Sequence, residues 1–153
     1  MNPSPFTISR VSWGEHGPLL SSVRREVFVV EQGVSEEEEI DEHDAVAWHF
    51  LARDSSGAPI GTSRLLPSGR IGRVAVLSSW RGKGVGRALV LEVLLASREL
   101  GLPQAHLHAQ VQTIPFYESL GFRVCGEEFD EAGIAHRAME LVEAPSKNPL
   151  TPP

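Results

Sequence analysis

A single cysteine, Cys125, stands among 153 residues, so neither an internal disulfide nor a multi-cysteine zinc site can form, and a reducing compartment suits the chain. No segment approaches the ~20 consecutive apolar residues of a membrane span. Residues 1–10 carry Pro3 and Pro5 among polar neighbours and lack the basic start and apolar run of a secretory signal. The expected location is therefore the cytoplasm, with no membrane partner. Positive charge is also scarce: 14 Lys and Arg against 20 Asp and Glu leave a formal charge of −6, which repels a nucleic acid backbone. No internal repeat is visible.

With 41% hydrophobic and 22% charged residues, the composition is that of one globular domain, able to hide roughly 69% of its unfolded surface on folding. Residues 1–143 are read as that domain. Residues 144–153 hold four prolines, which block both helix and sheet ladders, and are expected to form a mobile tail. Along the domain, residues 6–13 alternate as a first strand. Pro18 is expected to open a helix whose Leu19, Leu20, Val23, Val27 and Val30 face the core. Residues 45–53, 60–66 and 71–77 read as a three-stranded meander joined by turn-forming segments. Residues 88–100 form an apolar helix that stops at Gly101. A strand at 105–109, a helix at 113–120, and a closing pair at 122–129 and 136–141 complete the order β-α-α-β-β-β-α-β-α-β-β. That succession gives an α/β or α+β fold with a mixed sheet and helices on both faces.

The segment 71–87 carries the strongest chemical signal: a Val74-Ala75-Val76 strand, a tight loop with Gly82, Gly84 and Gly86, then the apolar helix. Glycines let an anion approach backbone amides that the first helical turn leaves unpaired, and the helix dipole adds positive potential. Arg81, Lys83 and Arg87 add three cations within seven residues of an otherwise acidic chain. A phosphate site follows, with a solvated basic patch as the plainer reading. A Walker A loop fails because Gly82-Lys83 is followed by Gly84, not by a hydroxyl residue. A dinucleotide fingerprint fails because Arg87 or Leu89 stands where its third glycine belongs.

Arg81-x-x-Gly84-x-Gly86 behind that strand, with Phe116-Tyr117-Glu118-Ser119-Leu120-Gly121-Phe122 some thirty residues on, resembles the GNAT superfamily of acyl-CoA N-acyltransferases. The segments 27–32 and 133–136 are similar to its ElaA-type branch. The resemblance spans residues 6–142 and implies a mostly antiparallel central sheet. It also implies acetyl-CoA as co-substrate. His106 and His108, two apart on a strand, could begin a metal site, but no carboxylate or third histidine at ligand spacing accompanies them, so no metal is expected. The acceptor is then a primary amine on a small molecule or peptide, attacked directly in a ternary complex, and a homodimer is compatible with it. Carried over, Val74, Ala75 and Val76 would pair with the pantetheine arm, while Arg81, Gly82, Lys83, Gly84, Val85, Gly86 and Arg87 would cradle the pyrophosphate. Gln110, where many relatives carry asparagine, and Phe116 would face the cofactor. Tyr117 would protonate or hydrogen-bond the departing thiolate, or else simply pack beside Phe116 and Phe122.

An alkylamine of pKa near ~10.4 is protonated at neutral pH, so exposing its lone pair costs about 4 to 5 kcal/mol and calls for a base. Glu31, Asp41, Glu42, Asp44, His49 and the His106/His108 pair are the candidates, with Glu31 preferred because it ends the first helix ahead of an acidic segment. That segment, 36–44, holds seven carboxylates and reads either as a field for a cationic acceptor or as solvated surface. Trp48, His49, Arg64 and Glu128 are candidates to line an acceptor pocket. Cys125 reads as a small core residue. The other reading of the chain is a non-catalytic acyl-CoA sensor or interaction module that keeps the cradle and lacks turnover.

Overall fold

A computed structural model describes residues 5–142; the segment 144–153, read as a tail, lies outside them. Strand β1 (Phe6–Val11) ends sooner than the expected residue 13. Ser12 there caps helix α1 (Trp13–Arg24) by accepting from the Glu15 amide. With that cap and Glu15 in the first turn, the helix begins before Pro18, which lies inside it instead of opening it. α1 continues into a π-helical turn over Arg25–Glu31, where the Gln32 N–H reaches back five residues to the Val27 carbonyl at 3.1 Å. The wider turn shifts the phase of its side chains. Leu20, Val23 and Val27 are buried as expected, but Val30 is rotated outward and 60% exposed.

A short helix α2 (Glu36–Glu39) and a 3-10 turn at Glu42–Ala45 lead to strands β2 (Trp48–Asp54), β3 (Pro59–Leu65) and β4 (Arg70–Val76). Helix α3 (Val85–Glu99) begins three residues ahead of the expected start and is followed by β5 (His106–Gln110) and α4 (Ile114–Glu118). The final strands are β6 (Phe122–Val124), β7 (Phe129–Glu131) and β8 (Ile134–Leu141). The strand expected over 122–129 is thus broken in two. Both pieces pair with β8, and Cys125 in the gap between them is exposed, not a core residue.

The sheet runs β1-β2-β3-β4-β5-β8-β6, with β7 also on β8. All pairs are antiparallel except β4 with β5. Helices cover both faces. On one, a Cβ at Gly61 would sit 2.9 Å from the Leu89 side chain, so the missing side chain is what lets α3 lie flat on β3. Leu89, Val90 and Val93 of α3 are wholly buried there, each such side chain stabilising the fold by about 1.5–3 kcal/mol. On the other face Ala75 packs against Val23 and Val27 of the first helix.

Candidate active site

β4 and β5 pair only at Arg70 with His106 and at Ile71 with Leu107; beyond these the strands part. A bulge in β4 accompanies the parting. Thr62 faces Ala75 and Arg64 faces Gly72, so Arg73 and Val74 together oppose Ser63. Arg73 takes a left-handed backbone with φ of 51°, a conformation that is uncommon without glycine. Its carbonyl accepts from the Thr62 hydroxyl at 2.8 Å. Its guanidinium donates to the Glu39 carboxylate at 2.9 Å, the Glu39 carbonyl at 2.8 Å and Asp41 at 3.1 Å. These bonds offset the strain and hold the wedge open.

Past the bulge, the Leu77 N–H donates to the Ile60 carbonyl at 2.9 Å, which makes the next pair, Val76 with Gly61, the kind without mutual hydrogen bonds. The Val76 N–H and C=O therefore turn away from β3 toward the wedge. The carbonyl accepts from Arg81 Nε at 3.0 Å, leaving the N–H to a ligand. Ala75 belongs to the alternate pair, and its backbone groups turn to β3. Val74 lines the wedge cavity.

The loop that follows turns through Gly82 and Gly84, with φ of 76° and 85°, and no atom lies within 4 Å of where a Cβ would stand at either. Gly84 is the N-cap of α3 and offers no side-chain cap, so the amides of the first turn point outward unpaired beside Lys83 and Arg87. Lys83 lies over the Trp80 ring, its Nζ 5.1 Å from the centroid. Arg81 is clasped fork to fork by Glu31, at 2.5 and 2.7 Å. Uncapped amides, open space and surrounding cations fit a pyrophosphate.

Between the parted strands lies a cavity of about 490 Å³ lined by Val74, Leu107, His108, Gln110, Tyr117 and their neighbours. The π turn delivers Phe28 and Gln32 to its wall. Gln110 is held by donating to Gln32 Oε1 at 2.8 Å and accepting from Gln112 at 2.7 Å. Phe116 packs over the start of α3, its ring 3.6 Å from the Cβ position of Gly86. Tyr117 meets Phe116 and Phe122 edge to face, with centroids 5.0 and 5.9 Å apart. Burial pushes its hydroxyl well above the ordinary phenol range, so it stays protonated and can donate.

The candidate bases separate cleanly. Glu31 is not among the residues lining the cavity, and the Arg81 guanidinium bonded to it holds its carboxyl below the usual carboxylate range. Burial raises the Asp41 and Asp44 carboxyls, but the arginines bonded to them more than reverse this, leaving both low. The acidic segment is consequently divided, with Glu36, Glu37, Glu38 and Glu42 exposed and the other three carboxylates bonded to arginines. Arg24 donates to Glu39 and Asp44, Arg64 to Asp41 and Asp44, and Arg73 to Glu39 and Asp41. Three arginines thus pin three of its carboxylates to the fold. His49 is 1% exposed, with Nε2 2.9 Å from the Asp44 carbonyl, and burial lowers its pKa. Of the proposed acceptor-pocket residues, Arg64 lines the cavity, whereas Trp48, His49 and Glu128 do not.

His106 and His108 share a face of β5 as their spacing requires, yet only His108 reaches the cavity. There it belongs to a cluster that sequence reasoning missed. His108 Nδ1 lies 2.9 Å from both Glu131 Oε1 and Arg70 Nη2, and His136 Nε2 is 3.7 Å from Glu131 Oε2. The available signal was the register: His136 stands opposite Gln110, and His108 is two residues before Gln110, which puts all three on one face. Among the described residues, no group of three His, Cys, Asp or Glu side chains is set to hold a metal ion. Among them too, no helix is long and apolar enough to cross a membrane.

The same architecture recurs in known proteins. ElaA of Escherichia coli superposes with a TM-score of 0.79 at 27% identity, covering 89% of this chain and 99% of its own. An acyl-CoA N-acyltransferase from Pseudomonas aeruginosa superposes with a TM-score of 0.76 at 31% identity over 90% of this chain and 98% of that one. In sequence, the uncharacterized N-acetyltransferase YjcF of Bacillus subtilis is 40% identical over 121 residues, 76% of this chain and 86% of that protein. The acetyltransferase (GNAT) domain family matches residues 18–143. The parted strands, the uncapped glycine loop and these likenesses agree: the chain belongs to the GNAT acetyltransferase family, with ElaA among its structural relatives.

Proposed function

We propose that this protein transfers an acetyl group from acetyl-CoA to a primary amine, on a small molecule or a peptide, by direct attack with both substrates bound. The observation that carries this reading is the divergence of β4 from β5 past Ile71 and Leu107, with the Val76 N–H inside the wedge and the uncapped start of α3 at its end. The amides of residues 82–87, with Lys83 and Arg87, hold the pyrophosphate. The pantetheine arm lies along Val74 and Val76. The Val76 N–H donates to that arm, and the thioester, further along toward the apex of the wedge, supplies an electrophilic carbon.

Tyr117 donates its hydroxyl to the departing sulfur. Full proton transfer from an ordinary phenol to an ordinary thiolate is uphill by roughly 2 kcal/mol, and the burial of Tyr117 steepens that slope, so a hydrogen bond carries most of the assistance. Gln110 faces the arm from β5, and Phe116 packs over the start of α3 behind the loop. Arg81 ties the loop to the strand end through the Val76 carbonyl, and Glu31 keeps that guanidinium in place.

Titration calorimetry with coenzyme A and acetyl-CoA, followed by thiol release across a panel of amines, tests the proposal. Heat with both ligands and amine-dependent thiol support it. Binding without thiol above the blank on every amine returns the protein to a sensor of acyl-CoA, and no heat at all removes the cofactor site.

A further inference from the structure

We propose that His108, oriented by Glu131, is the base that takes the proton from the acceptor amine at the apex of the wedge; this rests on the acyltransferase reading above. His108 is the first β5 residue beyond the last β4–β5 pair, Ile71 with Leu107. It lines the same cavity as Tyr117 and Val74, and its side chain is 30% exposed. It therefore stands at the end of the wedge opposite the phosphate loop.

The protons on its ring follow from its neighbours. Nδ1 stands 2.9 Å from Glu131 Oε1 and 2.9 Å from Arg70 Nη2. It either donates to the carboxylate or accepts from the guanidinium, because one ring nitrogen cannot do both. Donation to Glu131 fixes the Nδ1–H tautomer and leaves the Nε2 lone pair free to accept a proton, the arrangement by which a carboxylate orients a basic histidine. Glu131 stabilises the imidazolium that forms, while Arg70, 3.5 Å from the same carboxylate oxygen, shares that oxygen and opposes the charge. His136 completes the cluster. Its Nδ1 lies 2.7 Å from the Ile134 carbonyl, and its Nε2 faces Glu131 Oε2 at 3.7 Å. Phe129 packs against both imidazoles, with centroids 5.0 Å from His108 and 6.0 Å from His136, and limits water on that side.

The step balances. The acceptor enters as an ammonium ion and gives one proton to His108 Nε2. Its nitrogen lone pair forms the C–N bond as the C–S bond breaks; the second N–H proton passes to solvent, and the sulfur takes one from solvent or from Tyr117, which solvent then reprotonates. His108 returns its proton to solvent. The products are the amide, the free thiol and one proton.

The test compares the best alkylamine of the panel with its β,β,β-trifluorinated analogue, whose nitrogen is already neutral at an assay pH of about 7.5. His108→Gln is expected to lower kcat/KM for the alkylamine by about 100- to 10,000-fold, and for the fluorinated amine by less than about tenfold. Acetyl-CoA binding and the melting curve remain as in wild type. Glu131→Gln, which removes the orienting charge and keeps His108, shows the same amine dependence in weaker form and guards against a misfolded first variant. Equal losses on both amines, or unchanged turnover of the alkylamine in His108→Gln, overturn the assignment while leaving the acyltransferase standing. Wild-type protein that binds acetyl-CoA and turns over neither amine overturns the enzyme reading and the base together.

Discussion

Arg81 joins Glu31 to Val76: its two terminal nitrogens grip the carboxylate of the π-helical turn at 2.5 and 2.7 Å while its Nε donates to the last carbonyl of β4 at 3.0 Å. One guanidinium thereby fixes the mouth of the wedge from both sides. Glu31 is spent on this contact, so Glu31→Gln should leave kcat within about threefold of wild type, whereas loss of a general base costs 100-fold or more, on the order of 10² to 10⁴. Both partners are about two-fifths exposed, at 42% and 41%, so the melting free energy should change by less than about 1 kcal/mol. Arg81→Ala, which also frees the Val76 carbonyl, should weaken acetyl-CoA binding by about tenfold, the worth of a charge-assisted bond. Calorimetry and steady-state rates check both.

Tyr117→Phe keeps the edge-to-face contacts with Phe116 and Phe122 and removes only the donor. Acetyl-CoA affinity should hold while the chemical step slows by about 100-fold, as read in single-turnover thiol release. Burial raises the Tyr117 pKa, so its protonated form persists to higher pH than that of a free phenol. The wild-type rate should therefore show no loss from tyrosine ionisation between about pH 7 and 10, the ordinary phenol value. A falling limb in that window that vanishes in Tyr117→Phe contradicts the role.

Much of the fold was legible because its signals are local. The glycines at 82–86 mark the loop, although the helix begins at Val85 and not at the expected 88, and the apolar run in α3 matches a helix buried on the sheet. Other features depend on contacts far apart in sequence. The Arg73 bulge rests on bonds to residues 39 and 41, more than thirty positions upstream, and nothing in Gly72-Arg73-Val74 announces a left-handed arginine. Carboxylates 39, 41 and 44 looked like solvent-facing charge because their partners Arg24, Arg64 and Arg73 come from three separate elements. The π turn likewise leaves no mark in the apolar spacing except a Val30 that falls out of phase. Glu131 and His136 join His108 only because β8 pairs with β5 on one side and β7 on the other, a register that strand patterning alone does not set.

The buried arginine network makes stability sensitive to acid. The Asp41 and Asp44 carboxyls sit below their unfolded values, so near those values the unfolded chain binds more protons and stability rises with pH. Their contribution is complete above about pH 4, the unfolded Asp value, and drains away as pH falls through the lower folded values. His49, lowered by burial, has the same sign over a higher window, with stability declining once pH drops below about 6.5. Urea midpoints measured from pH 7 to pH 3 should fall in two stages. His49→Gln should remove the upper stage alone.

Arg24 is 1% exposed and contacts Glu39 and Asp44 at 2.6 and 2.8 Å, so its removal strands two buried carboxylates. Arg24→Met fills similar space without the charge and should cost about 3–5 kcal/mol in urea unfolding, the usual penalty for breaking a buried pair on one side. Arg64 and Arg73 still reach the same carboxylates, which favours the lower end of that range. Because Arg73 holds the wedge open through Glu39, acetyl-CoA binding should weaken as well, even in variant protein that is fully folded at the assay temperature. A melting free energy within about 1 kcal/mol of wild type would mean that the pairs are too solvated to count as buried.

Gly84 separates the demands of backbone and ligand at one position. Its φ of 85° lies in the left-handed region, where an L side chain costs roughly 1–2 kcal/mol and a β-branched one more, yet nothing beyond its chain neighbours lies within 4 Å of the added Cβ. Gly84→Val should therefore lower stability through the backbone alone, by about 2 kcal/mol or somewhat more. The space it fills is the approach to the α3 amides, so acetyl-CoA affinity should drop at least tenfold, a loss of about 1.4 kcal/mol or more. Gly57→Val provides the control, since Gly57 also has positive φ, at 88°, and open space around its Cβ position, in the β2–β3 turn away from the wedge. Comparable destabilisation in both variants, with the binding defect confined to Gly84→Val, assigns the effect to the ligand's approach. Equal binding in the two would place the pyrophosphate elsewhere.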